Sequence, residues 1–408
     1  MRIDAMPSRP LPASRAVQQG ISTLLLTTLI LFLAALVTLA LSRSAIMEQR
    51  MAGNQIRHKQ AFEAAQEGLD RSLVFIQTAP GGVDQNDDNV ADAAPLLAPV
   101  SGVGPSFYVA FCEPNSTATC PETPGAPTCA AAVQPVHFNT PLVASCGWSD
   151  DLIGRTLITQ RLGAISTMSA PPQNPLVSKG TISLQGSSSV VNFFNNLTIW
   201  SGGALTLTGS AKSFVRLPSL APPASGAAPP DAPNTCTASA DYVCPSDLNN
   251  TGPDVMDADT ALSSLTNASM FEHFFGVSTL AAYEKTASQI LTPAAFSTAA
   301  AGLRGESVVI TGSVTLPNAA IGTRERPVLL VVDGDLTFTG TPDVHGIVYV
   351  TGNVTGGGNP RIQGALVVQG NVSPTGSLNL IHDPFVVSNA ATLTGRAGWL
   401  PGTWRDWN

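Results

Sequence analysis

The feature that most constrains this chain is a repeat of 18 residues in its C-terminal third. Gly334, Gly352 and Gly370 stand 18 apart, and Asp335, Asn353 and Asn371 follow them at the same step. Gly346 and Gly364 keep the period, as do Leu330, Val348 and Leu366, then Val332, Val350 and Val368, then Leu336, Val354 and Val372. Self-similarity at a fixed period signals a repeat architecture. A unit this short, made of apolar alternation and Gly/Asn turns, suits one turn of a parallel β-helix. Even-numbered residues then point inward, as the pleat requires. The Asp/Asn column falls at a corner, where these side chains tolerate turn geometry and can bond from turn to turn.

Looser copies occur earlier. Gly180–Gly186 and Gly203–Gly209 match Gly334–Gly340, and Gly312–Leu316 is another copy, separated from Gly334 by a short insertion around Arg324-Glu325-Arg326. The solenoid is therefore expected to begin near residue 176, to break off, and to resume near residue 305. The break opens with the Ala/Pro stretch Pro218–Pro233, a linker composition. Helical patterns follow over Asp257–Phe275 and Ser278–Gln289. Odd positions in the repeats (Leu329, Val331, Ile347, Tyr349, Val367) are apolar too, so a second element or a partner must cover that face. The helical insert is the natural cover.

At the other end, Ile21–Leu41 carries no charge and no proline over 21 residues. At 1.5 Å per residue it spans roughly 30 Å, the thickness of a bilayer core. Arg2, Arg9 and Arg15 precede it, which predicts a cytoplasmic N-terminus and an exported body. The run is longer than a signal-peptide core and lacks a clear small-residue cleavage site, so a retained anchor is expected. Charge is divided accordingly: residues 1–80 sum to +3 and residues 81–408 to −11. Only 12% of residues are charged, about half the usual share. That balance argues against nucleic-acid binding, which needs a basic surface. Helix formers without proline continue to Gln77, so Ile21–Gln77 reads as one helix, roughly 85 Å long at the standard rise.

Gln19-Gly20, the apolar helix, Glu48–Asn54 (EQRMAGN) and Ala61–Leu69 (AFEAAQEGL) together resemble the N-terminal segment of PilX-type type IV pilus biogenesis proteins. The resemblance covers about residues 17–76. It implies a minor pilin-like protein, cut by prepilin peptidase between Gly20 and Ile21, with other minor pilins, the pilus assembly machinery and the inner membrane as partners. Two positions depart from the pattern. Gln19 stands where leaders usually carry Lys or Arg, and Leu25 stands where major pilins carry Glu. A carboxylate there is costly in lipid unless paired, so Leu25 is the easy choice. Ser22, Thr23, Thr27, Thr28 and Thr38 are expected to assist helix association.

Six cysteines lie on the exported side: Cys112, Cys120, Cys129, Cys146, Cys236 and Cys244. An even count in an oxidising compartment predicts disulfides, and the absence of C-x-x-C pairs argues against zinc. Cys236–Cys244 is expected to close locally. Of the three connectivities open to the other four, Cys112–Cys146 with Cys120–Cys129 is the one expected. Ala144–Asp151 and Arg155–Leu162 read as a hairpin, and it resembles the strand pair that follows the long helix in PilX-like proteins.

Catalytic candidates are few. Asp333, Asp335, Asp343, His345 and Arg361 lie on adjacent repeats, but glycoside cleavage needs two carboxylates set across a cleft. Asp335 belongs to the corner column, which gives it a structural role. Asp84, Asn86 and Asp88 copy the start of a calcium loop without its glycine or closing Glu, and read as a solvated acidic loop. No cofactor, metal site or enzymatic activity is expected. The chain is thus read as a membrane-anchored α+β protein: leader 1–20, membrane and pilin-like helix 21–78, disulfide-bearing antiparallel sheet 79–175, first β-solenoid turns 176–217, insertion 218–303, resumed solenoid 304–400 and tail 401–408. The expected role is structural, at the pilus, with adhesion at its tip as the finer expectation. The alternative is an anchored solenoid scaffold or adhesin that never enters a filament.

Overall fold

The computed structural model describes residues 18–78, 83–84, 90–92, 104–164, 166–224, 226–231, 233, 235–236, 240–395 and 397–406. Of the predicted leader, 1–20, residues 1–17 lie outside them, and 18–20 open the helix. The fold is α+β: one long apolar N-terminal helix and many short strands. It divides at Lys59 and Gln60 into two compact units, which are described separately.

The first unit holds the start of helix α1 (Gln18–Thr78). From Leu24 to Leu41 its large apolar side chains are exposed on every side. Gly53 leaves the helix unbroken.

In the second unit, the remainder of α1 packs on a four-stranded antiparallel sheet, ordered Ser106–Cys112, Leu142–Trp148, Arg155–Ala164 and Ala397–Trp399. The helix buries Ala61, Ala64, Ala65, Leu69, Phe75 and Ile76, spaced as one face of a helix. They meet Phe107, Val109, Phe111, Val143 and Ile158. Small residues set the distance. A Cβ on Gly147 would collide with the backbone of Ala61 and Ala65, and one on Gly68 would strike Ser145 and Phe107. The opposite face of the sheet carries Cys112, Leu142, Ala144 and Leu157 under the loop that follows Cys112.

The disulfides differ from the expected pairing. Cys112 bonds Cys129 and Cys120 bonds Cys146, while Cys236–Cys244 closes locally. Strand register is the reason. Cys112 sits opposite Leu142, and Cys146 opposite Tyr108. The two cysteines are therefore four residues out of step, about 13 Å along the strands, well beyond disulfide reach.

The repeats form three rows of parallel strands. In the first row, Val328–Val332 pairs with 346–350 and these with 364–368, each 18 residues on. The second row runs through Val314–Thr315, Leu336–Phe338 and Val354–Gly356, with a bridge to Val372. The third runs through Ala320–Ile321, 343–345, 361–363 and Asn379–Ile381. Spatial order departs from chain order. Leu176–Ser178 pairs with 366–368 and Ser189–Asn192 with Asn379–Ile381, so the earliest repeats stack on the last one rather than on the copy near residue 307.

Alternation partitions the first row between two cores. Val328, Leu330, Val332, Val348, Val350, Leu366 and Val368 face the residues of the other two rows. Leu329, Val331, Ile347, Tyr349, Ala365 and Val367 face α3 (Asn267–Phe275), together with residues of α2 (Thr260–Ser264), α4 (Leu280–Tyr283) and α6 (Pro384–Leu393). The helical insert is thus the cover for the odd positions. Burial on both faces explains the unbroken Val-Leu-Leu-Val-Val run. Between the third and first rows the chain bends at Gly346 and Gly364, with φ of 155° and 140°. A Cβ at Gly346 would strike the Val328 carbonyl, and one at Gly364 the Gly346 carbonyl. The α5 helix (Pro293–Ala299) places Phe296 at the inner core.

The expected corner ladder is present. The Asp335 N–H donates to Ser313 Oγ at 2.9 Å, Asn353 N–H to Asp335 Oδ1 at 2.7 Å, and Asn371 N–H to Asn353 Oδ1 at 2.9 Å. The Thr181 N–H donates to Asn371 Oδ1 at 2.8 Å, carrying the ladder onto the early repeats. Each side chain satisfies the backbone donor of the next turn along an exposed corner.

Residues 384–400, assigned by sequence to the resumed solenoid, form α6 and the fourth strand of the antiparallel sheet. The tail also joins that sheet, through a bridge between Arg405 and Thr159.

Candidate functional site: the N-terminal helix and the polar row

The exposed half of α1 is the first candidate. An all-round apolar helix that no side of the protein covers needs another apolar environment. Among the described residues, α1 is the one helix long and apolar enough to cross a membrane. Gly20 and Ile21, the predicted cleavage pair, lie within its backbone. Leu25 is 64% exposed. Thr27 and Thr28 donate to Leu24 O at 2.9 and 3.0 Å, and Thr38 to Ala35 O at 2.9 Å. Their hydroxyls are satisfied within the helix, since a free donor is expensive in an apolar medium.

The polar third row is the second candidate. Asp343 and Arg361 are register partners 3.2 Å apart. Arg361 also reaches Asp231 at 3.4 Å and Gln363 Oε1 at 3.0 Å. Arg324 Nε donates to Asp383 Oδ2 at 2.8 Å, and Gln363 Nε2 donates to the same oxygen. Asp383 further caps α6 by accepting from Phe385 N. Burial lowers the pKa of His345, with Asp343 opposing and Arg361 adding to the shift. Burial pushes His382 down to about 4, against the Gly364 backbone and Asp383. Asp333 accepts from Thr351 Oγ1 at 3.4 Å, and Asp335 is held in the ladder. The carboxylates brought together here are engaged by arginine, glutamine and backbone groups, an arrangement that braces the row.

One ionic contact departs from the sequence expectation. Asp84, expected in a solvated acidic loop, is 1% exposed and pairs with Arg326, itself 2% exposed. Arg326 Nη1 donates to Asp84 Oδ2 at 2.9 Å, and the guanidinium lies over the Phe138 ring. Asn86 and Asp88 lie outside the described residues. Beside this pair, burial raises Glu306 to about 8, opposed by a hydrogen bond from Gln289 and the charge of Arg326. The signal in the sequence was the charged triplet Arg324-Glu325-Arg326 inside an otherwise apolar stretch.

A long N-terminal helix, apolar in its first half and packed on an antiparallel sheet in its second, is the arrangement expected from the PilX-like resemblance. Residues 19–70 match the PilX N-terminal family, which supports a PilX-type, pilin-like N-terminal segment and suggests a role related to the type IV pilus. Residues 284–377 match a domain of unknown function (DUF8470), which covers the regular repeats. Neither the curated proteins nor the solved structures contain a match.

Proposed function

We propose that this protein is a minor pilin-like subunit in type IV pilus assembly and that it acts structurally, without catalysis. The observation that carries this reading is the PilX N-terminal match over residues 19–70, coinciding with the exposed apolar helix. The helix sits in the inner membrane with a cytoplasmic N-terminus and passes beside other pilin helices, which it contacts by close packing. Prepilin peptidase removes the leader between Gly20 and Ile21. The three strand rows form the faces of an interrupted parallel β-solenoid in the periplasm or at the cell surface. A body of this size would obstruct regular stacking, so the subunit belongs at the pilus tip, where it contributes to adhesion.

Mass spectrometry of the mature N-terminus tests the processing step: a chain beginning at Ile21 is expected, and an intact Met1 would overturn it. Immunogold labelling of sheared pili tests incorporation, with label at filament ends expected. Deleting the gene is expected to lower surface piliation or attachment. Leu25 and Gln19 favour a second reading, a permanently anchored β-solenoid scaffold or adhesin. That reading predicts an uncut leader and label confined to the cell envelope.

A further inference from the structure

The face of the antiparallel sheet that turns away from α1 carries a cavity of about 440 Å³, lined by Leu142, Thr159, Arg161, Thr403, Arg405 and the 114–118 loop. Backbone bonding fixes both arginines. Thr159 and Arg405 exchange N–H···O bonds, both at 2.8 Å. The Arg161 N–H donates to Thr403 Oγ1 at 3.2 Å, and the Arg161 carbonyl accepts from Leu400. Arg405 is thus directly opposite Thr159, and Arg161 lies two residues along the same strand. Strand alternation puts all three side chains on one face, with the two arginines diagonal neighbours about 7–8 Å apart.

Neither guanidinium has an ion-pair or hydrogen-bond partner among the described residues, and the Arg161 Nε is buried without one. No Asp or Glu lines the cavity. Glu113, beside the rim, is held by His137 and the Gln134 N–H. Two like charges on one strand face repel each other, and here they do so on a body whose net charge is −11. The rim is rigid: its loop is tied by Cys112–Cys129 and Cys120–Cys146. Paired arginines on a fixed frame match the geometry of an oxyanion, which each can grip through two N–H donors.

We propose that this cavity is an oxyanion-binding site, in which Arg161 and Arg405 hold a carboxylate or phosphate group. Thr159 offers a hydroxyl to neighbouring polar groups, Thr403 holds the Arg161 backbone and donates to the Leu400 carbonyl, and Pro114, Ala118 and Leu142 form an apolar wall. The volume falls within the range of small-ligand sites.

Isothermal titration of the full chain in detergent micelles tests this, with inorganic phosphate, glucuronate and neutral glucose as probes. Saturable binding of phosphate or glucuronate is expected, and none of glucose. Stronger binding of glucuronate assigns the site to carboxylates, and stronger binding of phosphate assigns it to phosphate esters. Arg161→Gln and Arg405→Gln should each weaken binding about tenfold, the loss of one charge-assisted contact. Arg405 is exposed, so its variant keeps the test valid should Arg161→Gln disturb folding. No saturable heat with either anion at concentrations on the order of 10 mM would overturn the proposal. So would unchanged binding in the double variant.

Discussion

The helix–sheet module and the repeat stack both bury glycines against backbone, yet they specify their folds in opposite ways. In the stack a contact recurs every 18 residues: Gly346 on the Val328 carbonyl, then Gly364 on that of Gly346. In the module each contact occurs once, as with Gly147 against Ala61 and Ala65. A repeated contact spreads stability over many equivalent places. A unique contact concentrates it, and a buried charge pair at one point concentrates it further. The comparison therefore predicts large, localised losses at unique contacts and small, interchangeable losses along the ladder.

The largest effect is expected where Asp84 meets Arg326. Asp84→Asn leaves a buried guanidinium short of its counter-charge, which costs about 3–5 kcal/mol. Chemical unfolding of the full chain in micelles should show the loss. A loss below about 1 kcal/mol, the level of an exposed pair, would erase this contrast between the regions. Removing the Cys120–Cys146 bridge with paired serines should cost about 2–5 kcal/mol. Peptide mapping of the unreduced protein should recover Cys112 with Cys129; recovery of Cys112 with Cys146 would mean the strand register is wrong.

Glu306 gives a pH-dependent effect. Its ordinary value is 4.5, and burial raises it to about 8 in the folded protein. Between these values the unfolded chain binds fewer protons, so this group's stabilisation falls as pH rises and levels off above about 8. Glu306→Gln should remove that slope and stabilise the protein at pH 8, by an amount on the order of a few kcal/mol. His382 acts in the opposite direction. With its pKa at about 4 rather than 6.5, its contribution is present above pH 6.5 and is lost as pH falls toward 4. Unfolding midpoints measured from pH 4 to 9 separate the two slopes, because only the upper one should vanish in the Glu306 variant.

The smallest effect belongs to the ladder. Asn353→Ala and Asn371→Ala should each cost about 1 kcal/mol, the loss of two exposed hydrogen bonds that water can largely replace. Equal losses at the two sites support interchangeable turns. A loss at Asn371 several times larger would mark the junction with Thr181 as a unique contact instead.

Much of the candidate site was legible before any coordinates. The apolar run of α1 announced itself because lipid demands a length that few other structures share. The small residues Ala61, Ala64, Ala65 and Gly68 sat in plain view, but their purpose was not, since the sequence does not say that Gly147 would face them. The two unpaired arginines escaped notice altogether. Arg161 and Arg405 are separated by more than half of the chain, and only the bridge at Thr159 brings them to one face.

The 18-residue period determined the parallel rows, the alternation of inner and outer residues, and the Asp/Asn ladder. These follow from backbone geometry that repeats with the sequence, so local pattern suffices. Tertiary structure alone decided that Leu176–Ser178 joins the last repeat, that Asp84 is buried with Arg326, and that Cys112 bonds Cys129. Each depends on where distant segments meet, and that is set by the packing of whole elements, to which no single stretch of sequence holds the key.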